Sequence, residues 1–108
     1  MIKNINLSDF AVKDLEIIYS WYEDKHIGLG EEFILEIDET LLTISRYPAA
    51  GVECYEGIRK ILIPRFPFLI YYHESKLEIK IMAVTHAHRD PDYVEKQLKD
   101  RVKGDQNV

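Results

Sequence analysis

Two imidazoles and a guanidinium lie close together in this chain, at His86, His88 and Arg89. They stand at the exit of an apolar run, in the segment RFPFLIYYHESKLEIKIMAVTHAHRDP from Arg65 to Pro91. Imidazole exchanges protons near neutral pH, and the planar guanidinium fork grips two oxygens of a phosphate or carboxylate at once. At the end of a strand such groups sit on a rigid frame, where binding and catalytic sites are commonly built. Other chemistry is not visible. There is no phosphate-binding glycine loop, dinucleotide fingerprint or serine triad, and His26, His73, His86 and His88 have no cysteine partners at zinc-site spacing. Neither a cofactor nor a metal is expected. Cys54, the single cysteine, reads as a small half-buried apolar residue rather than a nucleophile, and alone it forms no internal disulfide.

The elements that must position these groups are readable from periodicity. Residues 3–7 alternate, with Ile5 and Leu7 on one face, as a short strand does. Ser8 is a good N-cap, and Asp9 suits the first turn of a helix whose stripe is Ala11, Leu15, Ile18 and Tyr22. That helix should end near His26, ahead of Gly28-Leu29-Gly30, where glycine permits the positive φ of a tight turn. A second helix should start at Gly30 or Glu31, with Ile34, Ile37, Leu41 and Ile44 as its stripe and Phe33 and Leu42 widening it. Tyr47-Pro48 ends it, since the residue before proline is pushed out of the helical region. Residues 49–56 read as a connector, followed by strands at 57–63, 66–73 and 77–85. In the last of these, alternation predicts Leu77, Ile79, Ile81 and Ala83 under the helix pair, and Lys80, Met82, Val84 and His86 on the opposite face. Asp90-Pro91 opens a terminal helix. Its thin stripe of Val94, Leu98 and Val102 predicts weak docking, with fraying after Lys103.

The 108 residues form one domain, 46% apolar and 31% charged, which is ordinary for a soluble globular protein. The net charge of −5 conceals an asymmetry: residues 8–56 hold 12 acids against Lys13, Lys25 and Arg46, whereas residues 57–103 hold ten bases against six acids. An anionic partner is therefore compatible only with the C-terminal half. No apolar run reaches the ~20 residues of a membrane span. The lone cysteine and the absence of a signal-peptide pattern point to the cytoplasm.

A strand, a helical hairpin, a three-stranded antiparallel meander and a terminal helix, in this order and size, resemble the α+β fold of the RelE/ParE superfamily of type II toxin–antitoxin toxins. The wording resembles that family as well. Glu23 with Gly28-Leu29-Gly30 and Phe33 is similar to its helix-loop-helix pattern, and Ile58-Arg59-Lys60-Ile61-Leu62 to its basic strand start. Arg65-Phe66-Pro67-Phe68-Leu69-Ile70-Tyr71-Tyr72 resembles its most recognisable stretch. Ala83-Val84-Thr85-His86-Ala87-His88-Arg89-Asp90-Pro91 is similar to its strand exit. The likeness spans roughly residues 7–95.

The resemblance implies growth inhibition by one of two routes, ribosome-dependent messenger RNA cleavage as in RelE-like members or poisoning of DNA gyrase as in ParE-like ones. A cleavage site would draw on Arg59, Arg65, His86 and Arg89, with His88 or Tyr93 assisting, because the 2′-hydroxyl route needs proton transfer and phosphate stabilisation. Each also has a structural role open to it: His86 as a satisfied strand histidine, Arg65 as a brace between Pro64 and Pro67, Arg89 as a partner of Asp90 or Asp92. The acidic balance departs from the strongly basic surface that RNA contacts favour. His86-Ala87-His88-Arg89 also looks closer to ParE-like members, so a non-enzymatic inhibitor is favoured. The resemblance further implies a cognate antitoxin in a hetero-oligomer, bound through Lys60, Met82, Val84, His88 and Tyr93. A silenced toxin that only binds its antitoxin is the third reading.

Overall fold

A computed structural model describes residues 2–106 of the chain. In chain order it forms strand β1 (Asn4–Leu7), helices α1 (Asp9–Lys25) and α2 (Leu29–Arg46), a 3₁₀ turn at Pro48–Ala50, strands β2 (Val52–Tyr55), β3 (Ile58–Leu62), β4 (Phe68–Glu74) and β5 (Glu78–His86), and helix α3 (Pro91–Gln106). The strands make one mixed sheet in the order β1-β5-β4-β3-β2, with β1 parallel to β5 and the other pairs antiparallel.

Local chemistry explains the helix ends. Ser8 Oγ accepts the Ala11 N–H at 3.1 Å, and Asp9 sits in the first turn. At the far end, the Glu23 carboxylate accepts the N–H groups of Gly28 and Gly30 at 3.0 and 2.9 Å, which ties the interhelical loop to α1. Gly28 has φ +90°, the conformation expected of it. Gly30 is needed for a different reason. A Cβ there would lie 2.8 Å from the Tyr19 carbonyl, so glycine is what lets the two helices approach.

The hairpin covers one face of the sheet. Ala11, Ile18, Tyr22, Phe33, Ile37 and Ile44 bury against Ile70, Tyr72, Ile79 and Ile81. Leu42, expected to widen the α2 stripe, instead faces outward, and Thr40 takes a buried position with its hydroxyl donating to the Glu36 carbonyl. Helix α3 covers part of the other face, where Val94 and Leu98 pack on Ile58, Tyr71, Met82 and Ala83. Tyr71 and Tyr72 thus point to opposite faces, and β4 is covered on both sides, as its continuous apolar run requires.

Three expectations are corrected. The connector 49–56 contains the 3₁₀ turn and β2, so the antiparallel meander has four strands. Leu77 lies in the β4–β5 turn rather than under the helices. Most consequential, β5 carries a bulge: Tyr71 pairs with Ala83 and Tyr72 with Ile81, leaving Met82 as the extra residue. Alternation inverts there. Ile79, Ile81 and Val84 go under the hairpin, while Met82 and Ala83 go under α3.

Docking of α3 is also firmer than its thin stripe predicts. Arg101 Nη1 and Nη2 donate to Asp14 Oδ2 and Oδ1 at 2.6 and 2.9 Å, and Nη1 also donates to the Met82 carbonyl at 3.0 Å. Asp14 Oδ2 in turn accepts the Val84 N–H at 3.0 Å. Strand β1 pairs with β5 only as far as Ile81, so this side-chain pair satisfies the β5 edge just where β1 stops.

Tyr72 fixes the connector to the sheet. Its hydroxyl donates to the Pro48 carbonyl at 2.7 Å and accepts the Gly51 N–H at 2.8 Å. Tyr72→Phe leaves both backbone groups without that partner in a buried setting, and should cost about 2–4 kcal/mol by denaturant titration. Burial pushes the phenols of Tyr22, Tyr71 and Tyr72 above their ordinary value of 10.0. A folded-state value raised above the unfolded one means full stability below the unfolded value and loss as pH rises through the folded one. Unfolding is therefore expected to become easier above pH ~10, and less steeply so in Tyr72→Phe.

Candidate functional site

The positively charged and imidazole groups of the sheet half do not converge. Arg59 lies opposite Tyr72 on the hairpin side of β3, and its Nη1 donates to the Gly51 carbonyl at 2.7 Å. His86 lies opposite Phe68 on the same side of the sheet. Tyr72 and Phe68 are four residues apart on β4, so Arg59 and His86 are separated by about 13 Å along the strand direction. Arg65, with φ +69°, reaches back to α2, where Glu32 lies at 2.9 Å and Glu36 at 3.5 Å. That is the bracing role its proline neighbours allowed. Arg89 lies over the Tyr93 ring at 5.1 Å, at the start of α3.

The two histidines at the strand exit do meet. Their ring centroids are 5.4 Å apart, and His86 also packs edge-on against Phe68 at 5.3 Å. His86 Nδ1 is 3.1 Å from the His88 backbone N–H. A backbone N–H only donates, so Nδ1 accepts and Nε2 carries the ring proton. The pair is a polar tip on a rigid strand end, with Arg89 following it. Arg59 and Arg65 do not join it.

The expected partner surface is also redistributed. Alternation predicts Met82 and Val84 on one face, within the expected antitoxin surface. The bulge sends them to opposite faces, Met82 beneath α3 and Val84 beneath the hairpin, and both are buried. Lys60 lies opposite Tyr71 on the α3 side of the sheet, and His88 and Tyr93 are at the surface where β5 passes into α3. Alternation along β3 places Leu62 on the same side as Lys60, and Val52 of β2 pairs with Lys60. Leu62 is 58% exposed and Val52 67%. Both escaped the sequence reading, Val52 because β2 was taken for a connector and Leu62 because an apolar strand residue reads as core.

Among the described residues no group of three or more His, Cys, Asp or Glu side chains is placed to hold a metal ion. No described helix is long and apolar enough to cross a membrane. Cys54, expected to be half-buried, is exposed; partial desolvation still pushes its thiol up, with Lys60 opposing, which disfavours the thiolate a nucleophile needs.

A helical hairpin thus lies on one face of a mixed five-stranded sheet, with a terminal helix on the other. Among solved structures, one titled as the chromosomal ParDE TA system from P. aeruginosa superposes with a TM-score of 0.73 at 20% identity, over 81% of this chain and 98% of that one. No curated protein matches the sequence. The family described as ParE toxin of type II toxin-antitoxin system, parDE, matches residues 5–91. The chain belongs to that family, and is a type II toxin–antitoxin toxin.

Proposed function

We propose that the chain arrests growth by inhibiting DNA gyrase without a chemical step of its own, and that a cognate antitoxin silences it in a cytoplasmic hetero-oligomer. The observation that carries this reading is that Arg59 lies away from the His86–Arg89 strand exit and that Arg59 and Arg65 are both engaged by other groups. Cleavage through a 2′-hydroxyl requires a base, a phosphate clamp and a proton donor around one phosphorus. Here Arg59 is engaged by the Gly51 carbonyl, about 13 Å from His86 along the strands, and Arg65 by Glu32 and Glu36 of α2. Membership of the ParE family and the acidic net charge weigh the same way.

The exposed strand exit, with His86, His88, Arg89 and Tyr93, is the proposed contact with the target. Arg89→Ala should weaken toxicity roughly tenfold, the worth of one charge-assisted contact, while leaving antitoxin affinity within about twofold. Titrating inducer in growing cells and measuring antitoxin binding on the same variant checks both. Equal loss of the two, or loss of neither, contradicts the assignment. Arg59→Ala is a poorer probe, since it also frees the Gly51 carbonyl that Arg59 braces.

A further inference from the structure

A hollow of about 670 Å³ lies between the C-terminal half of α3 and the end of the sheet where β2 turns into β3 and β4 into β5. Ile58 and Met82, from the core cluster beneath α3, line it together with Tyr55 and Val102, which pack against that cluster. Its size is that of a small-molecule cleft, ~300–1,000 Å³, and an apolar lining with a few polar groups is what such clefts share. The proposed target contact lies elsewhere. Lys80, which lines the hollow, and His86 are six residues apart on β5, about 20 Å along the strand.

One wall of the hollow is cationic. Lys96, Lys99 and Lys103 recur at spacings of three and four, so they form one row on α3, and all three line the space. Lys99 Nζ stands 5.3 Å over the ring of Tyr55 in β2, which shows the row turned toward the sheet. Among the described residues, no carboxylate lies within ion-pair distance of Lys96 or Lys103, and Lys99 has only Glu95 at 3.9 Å. Lys80 adds a fourth ammonium from β5. Against these stand Glu56, Glu78 and Asp100, and Glu78 Oε2 already accepts from Asn6 Nδ2 of β1 at 3.0 Å. Four lysines against three carboxylates, with His73 neutral, leave one positive charge over an apolar lining.

We infer that the hollow binds a small amphipathic monoanion, an apolar body bearing one carboxylate. The body covers Tyr55, Ile58, Met82 and Val102, and the carboxylate meets the lysine row, whose aliphatic stems extend the apolar wall while their ammonium groups stay at its mouth. A single negative charge matches the balance of the lining. A polyphosphate or a nucleic-acid backbone brings several charges and no apolar body, so it would leave the lining uncovered and press against Glu56 and Asp100. Helix α3 on one side, and the two turns with Glu56 and Ser75, bound the space, so its occupant is compact. The inference goes beyond the toxin reading and depends on neither gyrase nor an antitoxin.

The test titrates dodecanoate, below its micelle concentration, into the full chain by isothermal calorimetry. Saturable binding at one site is expected. Lys99→Glu with Lys103→Glu should weaken it at least about tenfold, and Val102→Glu, which puts a charge into the apolar lining, by a similar factor. Lys13→Glu with Lys25→Glu, on the hairpin, makes the same change in net charge and should leave binding unchanged. Dodecyltrimethylammonium, with the same chain and the opposite charge, should bind at least about tenfold more weakly than dodecanoate. Thermal melts confirm that each variant is folded, and the exposed lysine pair carries the test should Val102→Glu fail to fold. The inference is overturned by absence of saturable binding, by equal binding of the two probes, or by undiminished binding when Lys99 and Lys103 are reversed in charge. Co-sedimentation of the chain with phosphatidylglycerol vesicles through the same lysines would also overturn it, by assigning the row to a membrane surface. None of these readouts involves gyrase or growth, so failure here and failure of the toxin mechanism are separately visible.

Discussion

Arg101→Ala is expected to destabilise the chain by about 3–5 kcal/mol and to release the C-terminal half of α3 from the sheet. The side chain is only 8% exposed as a residue and carries three charge-assisted hydrogen bonds, two to Asp14 and one to the Met82 carbonyl. Removing it leaves the Asp14 carboxylate part-buried without its counter-charge, and leaves Met82 O at the end of an interrupted ladder. Asp14→Ala should cost a similar amount, because it strands the guanidinium and the Val84 N–H together. The pair is a single device, so the double variant should be less than additive. Replacing both by apolar residues of similar size, Arg101→Met with Asp14→Leu, should recover much of the loss. Urea titrations give the energies, and hydrogen exchange along α3 reports whether the helix lifts. A loss below about 1 kcal/mol in Arg101→Ala would mean that the pair is effectively solvent-screened.

Phe33→Ala is expected to cost about 3–5 kcal/mol, the usual toll for deleting a large buried ring. Phe33 has no exposed surface, and its ring contacts those of Tyr22, Phe66 and Phe68 with centroids 5.5–5.6 Å apart. Two of these contacts are edge-to-face. The cluster joins three elements: α1 through Tyr22, α2 through Phe33, and the β3–β4 corner through Phe66 and Phe68. A hole there cannot close by moving one side chain, which places the variant toward the upper end of the range. Phe33→Leu, which keeps most of the volume, should lose less than half as much. Comparable losses in the two variants would show that ring geometry, rather than filled space, holds the corner.

What could be read from the chain follows from which signals are local. The α1 stripe, the Ser8 cap, the loop at Gly28 and the stop at Tyr47-Pro48 depend on near neighbours, and all four stand in the fold as expected. The opposite facing of Tyr71 and Tyr72 needs only the two-residue period of a strand. Strand β2 escaped because Val52–Tyr55 is four residues long, is paired through a bulge, and is mostly exposed. The bulge in β5 escaped for a deeper reason. Nothing in Ile81-Met82-Ala83-Val84 marks where an extra residue enters, since all four side chains are apolar and suit either face. One inserted residue then misplaces every later side chain, which is how Met82 and Val84 came to be read as neighbours on one surface. Docking of α3 was underestimated because its strongest contact is polar. Arg101 finds Asp14 across 87 residues of sequence, a pairing that no periodicity reveals.

The candidate site was legible as residues but not as an arrangement. Arg59 and Arg65 have the chemistry to hold a phosphate, yet a carbonyl and two carboxylates already engage them.

The most direct test of the proposed mechanism is purified DNA gyrase assayed for supercoiling in the presence of the full chain, beside a translating ribosome extract assayed for transcript ends. The account predicts that supercoiling fails at a toxin concentration that leaves messenger RNA intact. Cut transcripts with supercoiling untouched would contradict it, and would mean that the dispersed arginines and histidines assemble into a catalytic site only on the ribosome.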